Sequence, residues 1–164
     1  MARRIDTYLR TLVPEDKFDF YAVVRDFADA EIAPHVLSWE REHSLVPDDC
    51  IAKMGELGLF GIPIGEEFGG QGGDHTDLVL MGLALAYHSQ SVAITPGAAI
   101  SLGAKPLQLC GSDEQKRMHL PDLAADPFAG ESQQGAAPRR QHVVVDVLGV
   151  EQVGGHLLLA GEDT

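Results

Sequence analysis

The sequence is poor in cysteine, in aromatic residues and in positive charge, and each shortage narrows what the chain can be. Only Cys50 and Cys110 occur among 164 residues, too few and too far apart for the disulfide framework of small secreted domains, so reduced structural thiols are expected. Lys and Arg number 12 against 25 Asp and Glu, a formal net charge of −13. That balance repels phosphate backbones and anionic headgroups, so no unassisted binding to nucleic acid or to a membrane surface is expected. Long hydrophobic runs are missing too. The most apolar stretch, Leu78 to Tyr87, has about half the length of a membrane span and is broken by His88-Ser89-Gln90-Ser91. Arg3, Arg4 and Arg10 make the N-terminus basic, but Asp6, Glu15 and Asp16 interrupt any signal-peptide run, and a cytoplasmic location is expected. The seven histidines form no HExxH pair and no His/Cys cluster with zinc spacing, so no metal site is expected.

What remains suits one modest α-helical domain with a real core. Pro14-Glu15-Asp16 reads as a helix start, with Phe20, Val23, Val24 and Phe27 as its apolar stripe and Arg25, Asp26 and Asp29 on the wet side. Pro34 should kink or end that helix before a continuation to Glu42. Val46-Pro47-Asp48-Asp49 opens a second helix that buries Ile51, Met54 and Leu57 and stops at Gly58. Leu59 to Ile64 reads as a buried crossing and Glu66 to Gly73 as a loop. A helix starting near Thr76 is apolar on nearly every face from Leu78 to Ala86, which predicts neighbours on all sides. Val92 to Leu102 forms a further apolar segment that tolerates Pro96 only near its first turn and stops at Gly103. Ala104 to Cys110 can form a short helix, and Ser112 to Gln115 supply a capping box for a last one, closed by Pro121. Residues 1–125 are therefore expected as a helical domain. Residues 126–164 are expected as an irregular and β tail, with strands at Val143 to Val150 and Leu157 to Ala160 around Gly154-Gly155.

Four stretches carry a resemblance: Arg25-Asp26-Phe27-Ala28 through Glu31-Ile32-Ala33-Pro34; Met54 to Gly61; Glu66-Glu67-Phe68-Gly69-Gly70-Gln71-Gly72; and Ser101-Leu102-Gly103 leading to Gly111-Ser112-Asp113-Glu114-Gln115-Lys116-Arg117. In this order they resemble the N-terminal helical domain of the acyl-CoA dehydrogenase family. The resemblance implies FAD-dependent α,β-dehydrogenation of an acyl-CoA thioester, in fatty acid metabolism, where a base removes the α-proton and a β-hydride passes to the flavin. It also places that base in a C-terminal helical domain and much of the flavin contact in a middle β-domain. The Thr-Glu-Pro-x-x-Gly-Ser-Asp type segment that opens the middle domain is missing; Gly135-Ala136-Ala137-Pro138-Arg139-Arg140-Gln141-His142 stands at about that distance. Gly154 to Glu162 resembles the first hairpin of that domain. The expectation is a truncated chain that supplies one wall of the acyl pocket, holds no flavin alone, is inactive alone, and self-associates or relies on a partner chain for the missing domains. A non-catalytic helical interaction module, or the relic of a truncated gene, is the alternative.

By the same resemblance, Ile94, Thr95, Ala98, Ala99 and Leu102 match positions lining the deep end of the acyl pocket. Small side chains there leave room for an alkyl chain, which gains about 0.8 kcal/mol per buried CH₂. The other reading is that these residues simply let helices pack closely, and the sequence leaves both open. Gly69-Gly70-Gln71-Gly72-Gly73 invites a phosphate-cradle reading, but no strand of a βαβ unit precedes it and Asp74 would repel phosphate, so a turn is expected. Asp48-Asp49 and Glu66-Glu67 read as solvated carboxylates. No residue of this chain is assigned as a catalytic, cofactor-binding or metal-binding group.

Overall fold

The computed structural model describes residues 4–125, together with the backbone of 150–153 and 156–159. Eight α-helices follow one another in the first stretch: α1 (Arg4–Leu12), α2 (Glu15–Phe27), α3 (Val36–Glu42), α4 (Asp48–Glu56), α5 (His75–Ala86), α6 (Gln90–Ala98), α7 (Lys105–Cys110) and α8 (Asp113–Ala125). α2 packs along α5, and α5 along α6. The main core gathers Phe18, Tyr21, Val24, Ile32, Met54, Phe60, Leu80 and Leu85, among others. A smaller one joins Ile64, Ala104, Leu107, Leu120 and Ala124. Each such side chain contributes about 1.5–3 kcal/mol by leaving water, which outweighs the weak helix preference of these short segments.

Several expectations need correction. α1 was not foreseen from the sequence. The buried stripe of α2 is Phe18, Tyr21 and Val24, continued by Ala28, whereas Val23 is 55% exposed. Of the expected stripe Val24 is buried and Phe20 and Phe27 pack partly buried against the main core, so only Val23 falls outside it; Phe18 and Tyr21, which also meet α1, widen the buried side. Arg25, expected on the wet side, is half-buried and paired with Asp6 at 3.1 Å.

Prolines account for the next group of differences. After α2 the chain widens into a π-turn, Ala28–Ile32, and after α6 into another, Ala99–Ala104. Each ends two residues before a proline, Pro34 and Pro106. A proline ring clashes with the carbonyl four residues back, and a turn one residue wider carries that carbonyl away. Pro96 sits inside α6 rather than in its first turn, and Gly103 does not stop the run, which stays helical from Gln90 to Cys110. Pro121 likewise lies inside α8, which continues to Ala125 because Leu120 and Ala124 are both buried in the smaller core.

Other boundaries stand as read. Gly58 ends α4 in a left-handed conformation, φ +71°, and Leu59, Phe60, Ile62 and Ile64 are buried. Asp74 caps α5: its carboxylate accepts from the Thr76 and Asp77 N–H groups at 2.7 and 3.2 Å, while Asp77 accepts from the Asp74 N–H at 2.8 Å. Ser112 and Gln115 form the expected reciprocal cap, at 2.8 and 3.2 Å. α5 is not enclosed on all sides. Leu80, Met81, Ala84 and Leu85 face the core, but Val79 is 67% exposed and Leu83 and Tyr87 are exposed with it.

Two short antiparallel strands, β1 (Val150–Val153) and β2 (His156–Leu159), pair with Val150 opposite Leu159 and Val153 opposite His156. They fall on either side of Gly154-Gly155 as expected. Of the strand expected at 143–150 only Val150 lies within the described residues, as do Leu157 to Leu159 of the second.

Candidate functional site

α6 and the π-turn after it carry all five candidate residues. Val92 and Ile100 of this segment point into the main core and Pro96 is buried, so the intervening positions turn outward. Ile94 is 61% exposed and Leu102 77%; Thr95, Ala98 and Ala99 are half-buried between them. The structure thus brings the five together as an outward strip, bulky at both ends and small in the middle. The Thr95 hydroxyl donates to its own helix at the Ser91 carbonyl, 3.1 Å, so it adds little polarity to the surface. Close packing is the work of Val92, Pro96 and Ile100, joined by Ala99 of the strip, which packs against the main core, while Thr95 and Ala98 remain partly open.

α5 exposes apolar side chains as well. Val79, Leu83 and Tyr87 recur every four residues on its exposed side. The sequence has no Asp, Glu, Lys or Arg between Asp77 and Lys105, so two adjacent helices expose apolar side chains with no formal charge among them. This uncharged run is visible in the sequence, but reading α5 as wholly enclosed hid its surface.

The glycine loop and the buried carboxylates are committed within the fold. In Gly69 to Gly73 every backbone N–H donates within the protein: Gly69 to Glu66, Gly70 to Gly65, Gln71 to Gly61, Gly72 to Ile64 and Gly73 to Ile62, at 2.6–3.1 Å. A phosphate would find no free donor there, and the loop is the turn expected of it. Asp77, buried at the start of α5, takes the Lys17 ammonium at 2.6 Å, and Lys17 also reaches Asp74 at 3.2 Å. The hydrogen bond from Lys17 holds the Asp74 carboxyl below its ordinary range, and the bond to Asp77 raises Lys17 above its own. Buried Asp6 accepts from the Tyr21 hydroxyl and from Arg25, both at 3.1 Å. Both buried carboxylates are thus committed to cations within the fold, Asp77 to Lys17 and Asp6 to Arg25. Burial, reinforced by Asp49 and Glu31, pushes the Cys50 thiol up to about 11, which makes it inert. His88 pairs with Asp29 at 2.6 Å and ties α5 to the first π-turn. Among the described residues no group of three His, Cys, Asp or Glu could hold a metal ion, and none of their helices is long and apolar enough to cross a membrane.

Comparison with known proteins gives the same direction. The family model described as the acyl-CoA dehydrogenase N-terminal domain matches residues 14–126. A probable acyl-CoA dehydrogenase of Bacillus subtilis, YngJ, is 43% identical over 108 residues, covering 66% of this chain and 28% of that protein. Among solved structures, the butyryl-CoA dehydrogenase of Megasphaera elsdenii superposes with a TM-score of 0.64 at 28% identity, over 72% of this chain and 34% of that one. The acyl-CoA dehydrogenase of Bacillus anthracis complexed with FAD does so at 0.60 and 30% identity, over 69% of this chain and 19% of that one. The chain thus spans 19–34% of the length of these relatives. With the four sequence stretches, the helical architecture and the matched region in agreement, this chain belongs to the acyl-CoA dehydrogenase family, in which it corresponds to the N-terminal helical domain.

Proposed function

We propose that this domain forms the wall along which the alkyl chain of an acyl-CoA lies in an FAD-dependent acyl-CoA dehydrogenase. One observation carries the reading: Ile94 and Leu102 stand exposed at the ends of a strip whose middle, Thr95, Ala98 and Ala99, is small, within a run of sequence without formal charge. An alkyl chain laid on this strip leaves water on one side only, and the rest of the gain of about 0.8 kcal/mol per CH₂ awaits a covering surface. The described residues do not fit FAD as its main holder, since the glycine loop has committed its N–H groups and the buried carboxylates are paired. FAD and the base that removes the α-proton accordingly belong to other parts of such an enzyme. This chain's part is to bind the alkyl group and keep water from it.

Photolabelling tests the reading directly. An acyl-CoA carrying a diazirine at the far end of its alkyl chain, irradiated with the 164-residue chain, should label peptides containing residues 94–102, and unlabelled acyl-CoA should compete. Labels confined to α1, α3 or α4 would sink it. Mixing the same protein with FAD should leave no bound yellow chromophore after gel filtration, and a retained flavin spectrum would require a holder among the residues assigned other work above. A second reading, in which another copy of the chain covers the same strip, rests on the same exposed side chains. It predicts concentration-dependent sedimentation that acyl-CoA does not alter.

A further inference from the structure

α1 stands apart from the rest of the bundle in how it is held. The family match begins at residue 14, so α1 precedes it, and Val13-Pro14 alone separates α1 from α2. Leu9 is its one buried apolar side chain, assisted by the partly buried Ile5, while Tyr8 and Leu12 face outward. The other attachments are polar. Asp6, buried at 6% exposure, accepts from the Tyr21 hydroxyl and the Arg25 guanidinium, and the Arg10 guanidinium lies 4.1 Å from the centre of the Phe18 ring. Arg25 is shared, because it also binds Asp26 at 2.6 Å. A helix of nine residues has little stability without its dock. Leu9 with Ile5, the bonds of Asp6 to Tyr21 and Arg25, and the Arg10–Phe18 contact are thus what seats α1.

We propose that α1 is a detachable strap: a helix that leaves α2 as a unit while the remaining bundle stays folded, uncovering the Phe18–Tyr21 aromatic pair. The two rings lie 5.8 Å apart, centroid to centroid, and are both buried beneath it. The bundle can survive the loss because α2 keeps its packing on α5 and its Lys17 link to Asp77, the smaller core holds no residue of α1, and from the main core α1 withdraws only Leu9 and the partly buried Ile5. Removing the Asp6 charge should release the strap, since it leaves Arg25 without its partner on α1 and weakens a charge-assisted hydrogen bond.

Native-state hydrogen exchange on the full 164-residue chain tests this. Amides of Tyr8 to Leu12 should exchange faster than those of Leu80 to Leu85, and Asp6→Asn should speed the former by about tenfold to a hundredfold while leaving the latter unchanged. In the unaltered protein, raising salt toward 1 M, where the screening length falls to about 3 Å, should move α1 amides the same way by a smaller factor. Arg10→Gln, which touches only the Phe18 face, should do likewise. Equal acceleration of α1 and α5 in Asp6→Asn would overturn the proposal, as would no change in α1. An Asp6→Asn chain that fails to fold would overturn it too, because the bundle would then need α1 in place.

Discussion

At Gly70 a β-carbon would stand 2.1 Å from the Ile64 carbonyl oxygen, with backbone on the opposing side that cannot swing away. At Gly58 it would meet only the amide end of Gln71, at 2.0 Å, though φ there is +71°. Gly70→Ala should therefore destabilise by about 2 kcal/mol or more, through overpacking, and Gly58→Ala by about 1–2 kcal/mol, through the left-handed backbone. Urea unfolding curves would show the order, and a milder Gly70 variant would contradict the packing described. The thiols should differ as sharply: iodoacetamide at pH 8 should alkylate exposed Cys110 and spare Cys50, whose thiol is buried and pushed up to about 11. Mass spectrometry of the tryptic peptides decides it. Gly58 was legible in the sequence as a helix stop because a glycine after an amphipathic run has few other uses. The fate of the Gly69 to Gly73 N–H groups was not, since their acceptors lie several residues back along a crossing whose path no local pattern specifies.

Among the elements, α5 shows how a cap and an ion pair combine. Asp74 holds two N–H groups and Lys17, so Asp74→Ala should cost about 1 kcal/mol as a lost cap. Because the folded-state Asp74 carboxyl lies below its ordinary 3.8, its contribution is present above that pH and is lost as pH falls through the depressed value. Lys17 has the opposite sense: raised above 10.5, it contributes fully below that pH and loses the contribution as pH climbs through its folded value. Melting temperatures of wild type and Asp74→Asn should thus converge in strong acid, and those of wild type and Lys17→Met above pH 10.5. A constant gap at either end would mean that these charges do not stabilise the fold. The cap of α8 could be read directly from Ser112 and Gln115, whose spacing allows little else. On α2 the inward side of Phe20, Val24 and Phe27 was legible, but its extension to Phe18 and Tyr21 at the expense of Val23 was not, because those two rings meet α1, a helix with little sequence signal. Pro96 and Pro121 misled for a related reason: burial of their neighbours outweighs the single hydrogen bond each proline removes.

For the molecule as a whole, a net charge of −13 coexists with exposed apolar side chains on α5 and α6 in a run of sequence that carries no formal charge. Asp at both 94 and 102 should lower any self-association seen by sedimentation while shifting unfolding by no more than about 0.5 kcal/mol, as for surface sites generally. A large loss of stability would show instead that these side chains belong to the core. The all-helical architecture was readable because turn residues punctuate the apolar runs clearly. Which apolar runs stay uncovered was not, since periodicity cannot distinguish a helix buried by its own domain from one awaiting another surface. The run from Gln90 to Cys110 serves both cores, with Val92 and Ile100 in one and Ala104 and Leu107 in the other. Its π-turn acts as a phase shifter between two gears: one added residue sets the angle at which the second half meets its partners. Deleting one residue of that turn without relaxing it to a regular helical turn would rotate everything downstream by about 100°, setting Gln108 where Leu107 now meets the smaller core, so that only one core at a time could mesh.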